Sequence, residues 1–232
     1  MSSGIPDDLR RVLSGRRDDL AVFDSIDVSK TALLAIDMQR AWTDPAGPWY
    51  FPQARTVIDP INRMAAAVRH QGLVVWVQHV TGPPGTPEYW ATYLDNFVSD
   101  AQREGALAAI QMGSQFRNLE PDLDVHEADL RIEKRRYSAM IRTSSNLEWV
   151  LRERGIDTVI VTGVQTNMCV ESTARDAMML DFKVFMPHDA AAARTEDDHL
   201  AGLRTVAQVF ADIRPVEELL ALMAAQGGPK TP

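Results

Sequence analysis

DTVIVTGVQTNMCVESTARDAMML, residues 157–180, decides the architecture. Its first six residues form a β-branched apolar run of strand length, which suits a strand buried on both faces. A turn, Gly163 to Met168, follows. Beyond it Val170, Thr173, Ala174, Ala177 and Met178 recur at helical spacing from Cys169 to Leu180. A buried strand feeding a helix through a short turn is half of a βαβ unit.

The same alternation extends in both directions. Residues 146–154 read as a helix closed by Gly155, and 183–186 as a strand. Residues 196–210 read as a helix, 212–214 as a short strand, and Pro215 opens a last helix through Met223. Toward the N-terminus, TALLAI (31–36) is an apolar run ending at Asp37. Val57, Ile58, Ile61, Met64, Ala65 and Val68 mark a helix stopped by Gly72, after which LVVWVQHV (73–80) is a second buried strand. Residues 130–133 add a short one. Strands alternating with helices imply right-handed crossovers and a three-layer α/β/α sandwich around a mostly parallel six-stranded sheet. One domain is expected over 31–224, with a peripheral arm at 1–30 and a flexible tail at 225–232. The arm carries a short helix over 8–13 and is expected to pack on a neighbouring subunit.

Residues 43–53 and 81–128 resist this pattern. The first is a loop rich in Pro, Gly and aromatics. In the second, GPPGTPEYW (82–90) is a loop by composition, and an amphipathic helix is expected over part of 88–104. The aromatics of 89–97 cluster there, and an insert beside strand ends often shapes a pocket.

Composition narrows the function. The chain has 232 residues, 45% hydrophobic and 24% charged, enough to bury a core without staples. A formal charge of −8 and a pI of about 5.1 argue against nucleic acid or an anionic membrane as partner. A single cysteine excludes an intrachain disulfide. The N-terminus has no apolar signal-like stretch and no apolar run approaches membrane-spanning length, so a cytoplasmic location is expected.

Ligands of open parallel sheets sit at the carboxyl ends of the strands. Asp37, Lys134 and Cys169 all fall at such ends. Cys169 is either a buried inert thiol or a nucleophile whose thiolate a helix start would favour. A carboxylate closing an apolar strand, as Asp37 does, is costly unless paired, bonded to nearby amides or functional. Lys134, followed by Arg135 and Arg136, reads by itself as a solvated basic residue. Their joint placement favours chemistry.

Three segments carry a resemblance to a known family. ALLAIDMQRAW (32–42), IEKRRYSAM (132–140) and RGIDTVIVTGVQTNMCVESTARDAMMLDFKVFMPHDAAAA (154–193) resemble, in that order, the aspartate, lysine and nucleophile segments of the isochorismatase-like cysteine hydrolases. The likeness spans roughly residues 30–215 and leans toward the ureidoacrylate and N-carbamoylsarcosine amidohydrolase branch. It implies a catalytic triad of Asp37, Lys134 and Cys169. It also implies a cis peptide at Val164–Gln165, with the backbone N–H groups of Gln165 and Cys169 as an oxyanion hole. The implied reaction is cysteine-dependent hydrolysis of a C–N bond in a small amide or ureido compound through a thioester, with no cofactor. A homo-oligomer, dimer or tetramer, is implied as well. Substrate-binding candidates are Trp42, Gln78, Tyr137 and Asn167, the last equally a cap for the Cys169 helix. Met140 stands where the family usually has phenylalanine, and with Trp42 is expected in the pocket. His188 beside Asp189 is read as structural. No metal is expected, because 76–80 (WVQHV) lacks the Asp-x-His-x-His triplet of metal-binding nicotinamidases, which makes that alternative weaker. Isochorismate ether hydrolysis is weaker too, since true isochorismatases have glycine at the nucleophile position. A non-catalytic binding or scaffold protein on the same fold is the alternative of another class.

Overall fold

A computed structural model of the protein describes residues 21–226, together with Asp7 and Arg10. Of the helix expected over 8–13 only Arg10 is described, in helical conformation; its other residues and the tail 227–232 lie outside the described residues.

The strands are β1 (Thr31–Ile36), β2 (Leu73–His79), β3 (Leu130–Lys134), β4 (Thr158–Val164), β5 (Lys183–Pro187), β6 (Ala191–Ala192) and β7 (Asp212–Arg214). All pair in parallel, in the order β3-β2-β1-β4-β5-β7. The expected six strands form that path. The seventh, β6, pairs β4 off the path, and two alanines are too short to leave a strand pattern in the sequence. The longer helices are α1 (Ile58–Arg69), α2 (Asp100–Ile110), α3 (Leu147–Glu153), α4 (Glu171–Met179), α5 (Glu196–Val209) and α6 (Val216–Gln226). Among the described residues no helix is long and apolar enough to cross a membrane.

Central strands are apolar without alternation because both faces are covered. Leu34, Ile36, Val75, Val77, Val159 and Val161 pack with α3, α4 and α5. Leu33, Ala35, Val74, Trp76 and Ile160 pack with α1 and α6. The α4 face follows the expected spacing at Val170, Thr173, Ala174 and Ala177, but Met178 lies outside it, 39% exposed. The helix expected within 88–104 is two pieces, Ala91–Leu94 and α2. The start of α2 is set by a capping box in which Ser99 and Gln102 satisfy each other's backbone amides.

Residues 22 and 23 meet β7 at the sheet edge, and residues 28–30 lead into β1. Ile26 is buried, and the amides of Val22 and Phe23 donate to Asp212 Oδ2 at 2.8 and 3.0 Å.

Candidate active site

Three strand ends build the floor. β1 stops at Ile36, and Asp37 takes a left-handed conformation, φ 55°, which short polar residues tolerate. Its amide still donates to Val77 O at 2.8 Å, so the carboxylate sits at the rim of the sheet. β3 ends at Lys134, in register with His79 of β2. β4 passes so near β1 that a Cβ on Gly163, φ 102°, would stand 2.1 Å from Ile36 O; only glycine fits. The Val164–Gln165 peptide is cis.

A wide π-type turn, Thr166–Val170, then carries Cys169, with Val170 N–H donating to Gln165 O at 3.2 Å. The cysteine therefore lies within this turn, ahead of α4, rather than opening that helix. α5 supports the turn from behind. A Cβ on Gly202 would meet Asn167 Cα at 2.9 Å, and Thr166 Oγ1 lies 2.8 Å from His199 Nδ1.

The three distant residues meet. Lys134 Nζ lies 2.9 Å from Asp37 Oδ2 and 3.2 Å from Cys169 Sγ, with all three side chains buried. Burial pushes the Asp37 carboxyl up, against the pull of the Lys134 ammonium. Burial likewise raises the Cys169 thiol, and the Asp37 charge adds to it, outweighing Lys134. Burial thus opposes the thiolate that a helix start would favour, while the Lys134 ammonium at 3.2 Å supports it. Burial opposes the Lys134 charge, but Asp37 and Cys169 outweigh it and its pKa is raised.

Above this floor lies a cavity of about 640 Å³. Asp37, Gln165 and Cys169 line it, as do Trp42 and Tyr137. Tyr137 meets Trp90 and Tyr93 edge-on, at 4.8 and 5.6 Å between ring centroids, and Tyr93 also faces the cavity. Of the other aromatics in 89–97, Tyr89 is buried against Asp95 and Phe97 is 76% exposed. Three expected pocket residues lie elsewhere. Gln78 donates to Arg117 O at 2.9 Å, because alternation along β2 gives the cavity to its neighbour His79 instead. Asn167 packs its backbone on Gly202, and no side chain caps the turn or α4. Met140 is buried in the core under α3 and α4. His188 is also outside the cavity lining, while Asp189 beside it accepts from Val216 N–H at 2.9 Å, tying the end of β5 to α6.

Sequence reasoning missed His79, Trp49, Arg194 and the α2 residues Gln102, Gly105 and Ala106, all of which line the cavity. Among the described residues no group of three His, Cys, Asp or Glu side chains is placed to hold a metal ion.

Residues 31–218 match the isochorismatase domain family. The ureidoacrylate amidohydrolase RutB of Klebsiella pneumoniae subsp. pneumoniae is 34% identical over 177 residues, covering 69% of this chain and 72% of that protein. A cysteine hydrolase from Pseudomonas syringae pv. phaseolicola superposes with a TM-score of 0.79 at 24% identity, over 89% of this chain and 98% of that one. N-carbamoylsarcosine amidase from Thermoplasma acidophilum does so with a TM-score of 0.64 at 23% identity, over 81% and 97%. At such identities the two structures establish the fold and nothing finer.

Proposed function

This chain belongs to the isochorismatase domain family, and from there we propose that it is a cysteine-dependent amidohydrolase cleaving a C–N bond of a small amide or ureido compound. A ureidoacrylate-like substrate is favoured by the RutB relative. The observation that carries the reading is the buried contact of one ammonium with both a carboxylate and the chain's single thiol, at 2.9 and 3.2 Å, on a cavity floor.

The proposed chemistry uses those groups in turn. Asp37, across the Lys134 ammonium from sulfur, takes the Cys169 proton as attack begins. Sulfur forms a bond to the substrate carbonyl carbon, and Lys134 balances the negative charge passing between carboxylate and sulfur. The carbonyl oxygen draws on the N–H groups of Gln165 and Cys169. Protonated Asp37 gives its proton to the leaving nitrogen as the C–N bond breaks, leaving a thioester. Water, losing a proton to Asp37, attacks the thioester and returns the thiol.

Ammonia release from a panel of ureido acids, primary amides and nicotinamide tests this, with Cys169→Ala as control. Turnover of at least one member that vanishes in the control is expected. Silence across the panel, or turnover that survives in Cys169→Ala, overturns the reading.

A further inference from the structure

The triad leaves a fourth polar group on the floor unused. His79 stands beside Lys134 in register, and its Nδ1 lies 3.1 Å from Lys134 Nζ. An ammonium has three protons and no lone pair, so Nδ1 is the acceptor and the ring proton sits on Nε2. Burial pushes the ring well below the usual histidine pKa, and Lys134 and Arg136 add to this, so it stays neutral. His79 lines the cavity, its ring edge-on to Trp42 at 6.4 Å, and no hydrogen bond within the described residues engages Nε2.

The ammonium has four neighbours for its three protons. Two are neutral, His79 Nδ1 and Arg136 O, each at 3.1 Å. Two exchange a proton in the proposed reaction, Asp37 and Cys169. The neutral pair fixes where Nζ sits; without one of them Nζ is free to move onto the carboxylate and leave sulfur uncovered.

We propose that His79 is a positioning residue that holds the Lys134 ammonium between Asp37 and Cys169 through Nδ1, while its Nε2–H donates to an acceptor oxygen of the substrate. The substrate class this implies has a carbonyl or carboxylate oxygen on the Trp42 side of the reacting carbon. The inference rests on Cys169 being the nucleophile.

Two conservative variants separate the two ring nitrogens. His79→Asn keeps an acceptor near Nδ1 and loses the outer donor. His79→Gln keeps a donor near Nε2 and loses the inner acceptor. In the full chain at neutral pH, the rate of iodoacetamide alkylation reads the thiol, and KM for the best panel substrate reads the donor. His79→Asn is expected to alkylate within about threefold of the unaltered protein with KM raised about tenfold, and His79→Gln to alkylate about tenfold slower with KM nearly unchanged. This crossed pattern is not what loss of packing produces, since that moves both readouts together. Variants that behave alike, or a reversed pattern, overturn the proposal. Alkylation needs no substrate, so it decides the Nδ1 role whatever the panel yields. An unreactive thiol in the unaltered protein sinks this inference and the proposed function together, whereas a reactive thiol without the crossed pattern sinks only this one.

Discussion

Two buried ion pairs among the described residues are held very differently. Lys134–Asp37 closes at 2.9 Å on the cavity floor, and Arg214–Asp212 at 2.8 Å on the edge strand β7. Asp212 is saturated. Its Oδ2 accepts from the amides of Val22 and Phe23 as well as from Arg214, and its Oδ1 takes Arg214 Nε at 3.2 Å. Arg214 also donates to Phe23 O. Asp37 instead faces the ammonium and the thiol, and among the described residues no bidentate guanidinium and no pair of backbone amides holds its oxygens. Charge type and burial are nearly the same, so saturation separates the two. A carboxylate whose lone pairs are filled by several N–H groups has no room for a further proton and serves as a latch. A carboxylate with spare lone pairs beside a thiol can accept a proton.

The contrast is broken most directly by removing one charge from each pair. Asp37→Asn is expected to lower turnover by about a thousandfold or more while leaving the chain folded; activity near the starting level removes the proposed base. Asp212→Asn is expected to do the reverse, lowering unfolding free energy by about 3 kcal/mol with kcat/KM of the folded protein unchanged. Chemical denaturation reads this, and an unaltered midpoint shows that the amides of Val22 and Phe23 are not held by charge.

A pH profile sharpens the same point. The base must be ionised to work, and burial raises Asp37 above the ordinary 3.8, so activity is lost at a higher pH than an ordinary carboxylate allows. An acid limb of kcat/KM at or below that value contradicts the environment described for Asp37. The smallest effect belongs to Gln78→Ala. It removes one hydrogen bond to Arg117 O, for about 1 kcal/mol of stability, and should leave KM within about twofold. A large KM change would place Gln78 in the cavity after all.

The floor was legible because each of its reacting side chains closes or follows a strand, and in a parallel sheet those strands end on one edge. Which residue of β2 faces the cavity was not legible. LVVWVQHV is apolar on both faces, so no alternation marks Gln78 as facing away and His79 as facing in. The roof was obscure for another reason. Residues 81–128 carry little periodicity, and the box of Ser99 and Gln102, the local signal that starts α2, is only four residues long. Arg194 and Trp49 meet across 145 positions, with the guanidinium donating to Trp49 O at 3.0 Å, and a pairing so remote leaves no local trace. Met140 was misplaced because a likeness between motifs reports position along the chain and says nothing of which way a side chain turns.

Gly202 carries a consequence for how the protein can change. Because a bare helix backbone presses on the strand-to-helix connection, the seat of the sulfur is set from the side away from solvent. A single methyl added there would push Asn167, and with it the thiol, toward the opening. Residues that never meet a ligand can thus tune reactivity, while the aromatic roof is free to vary the guest.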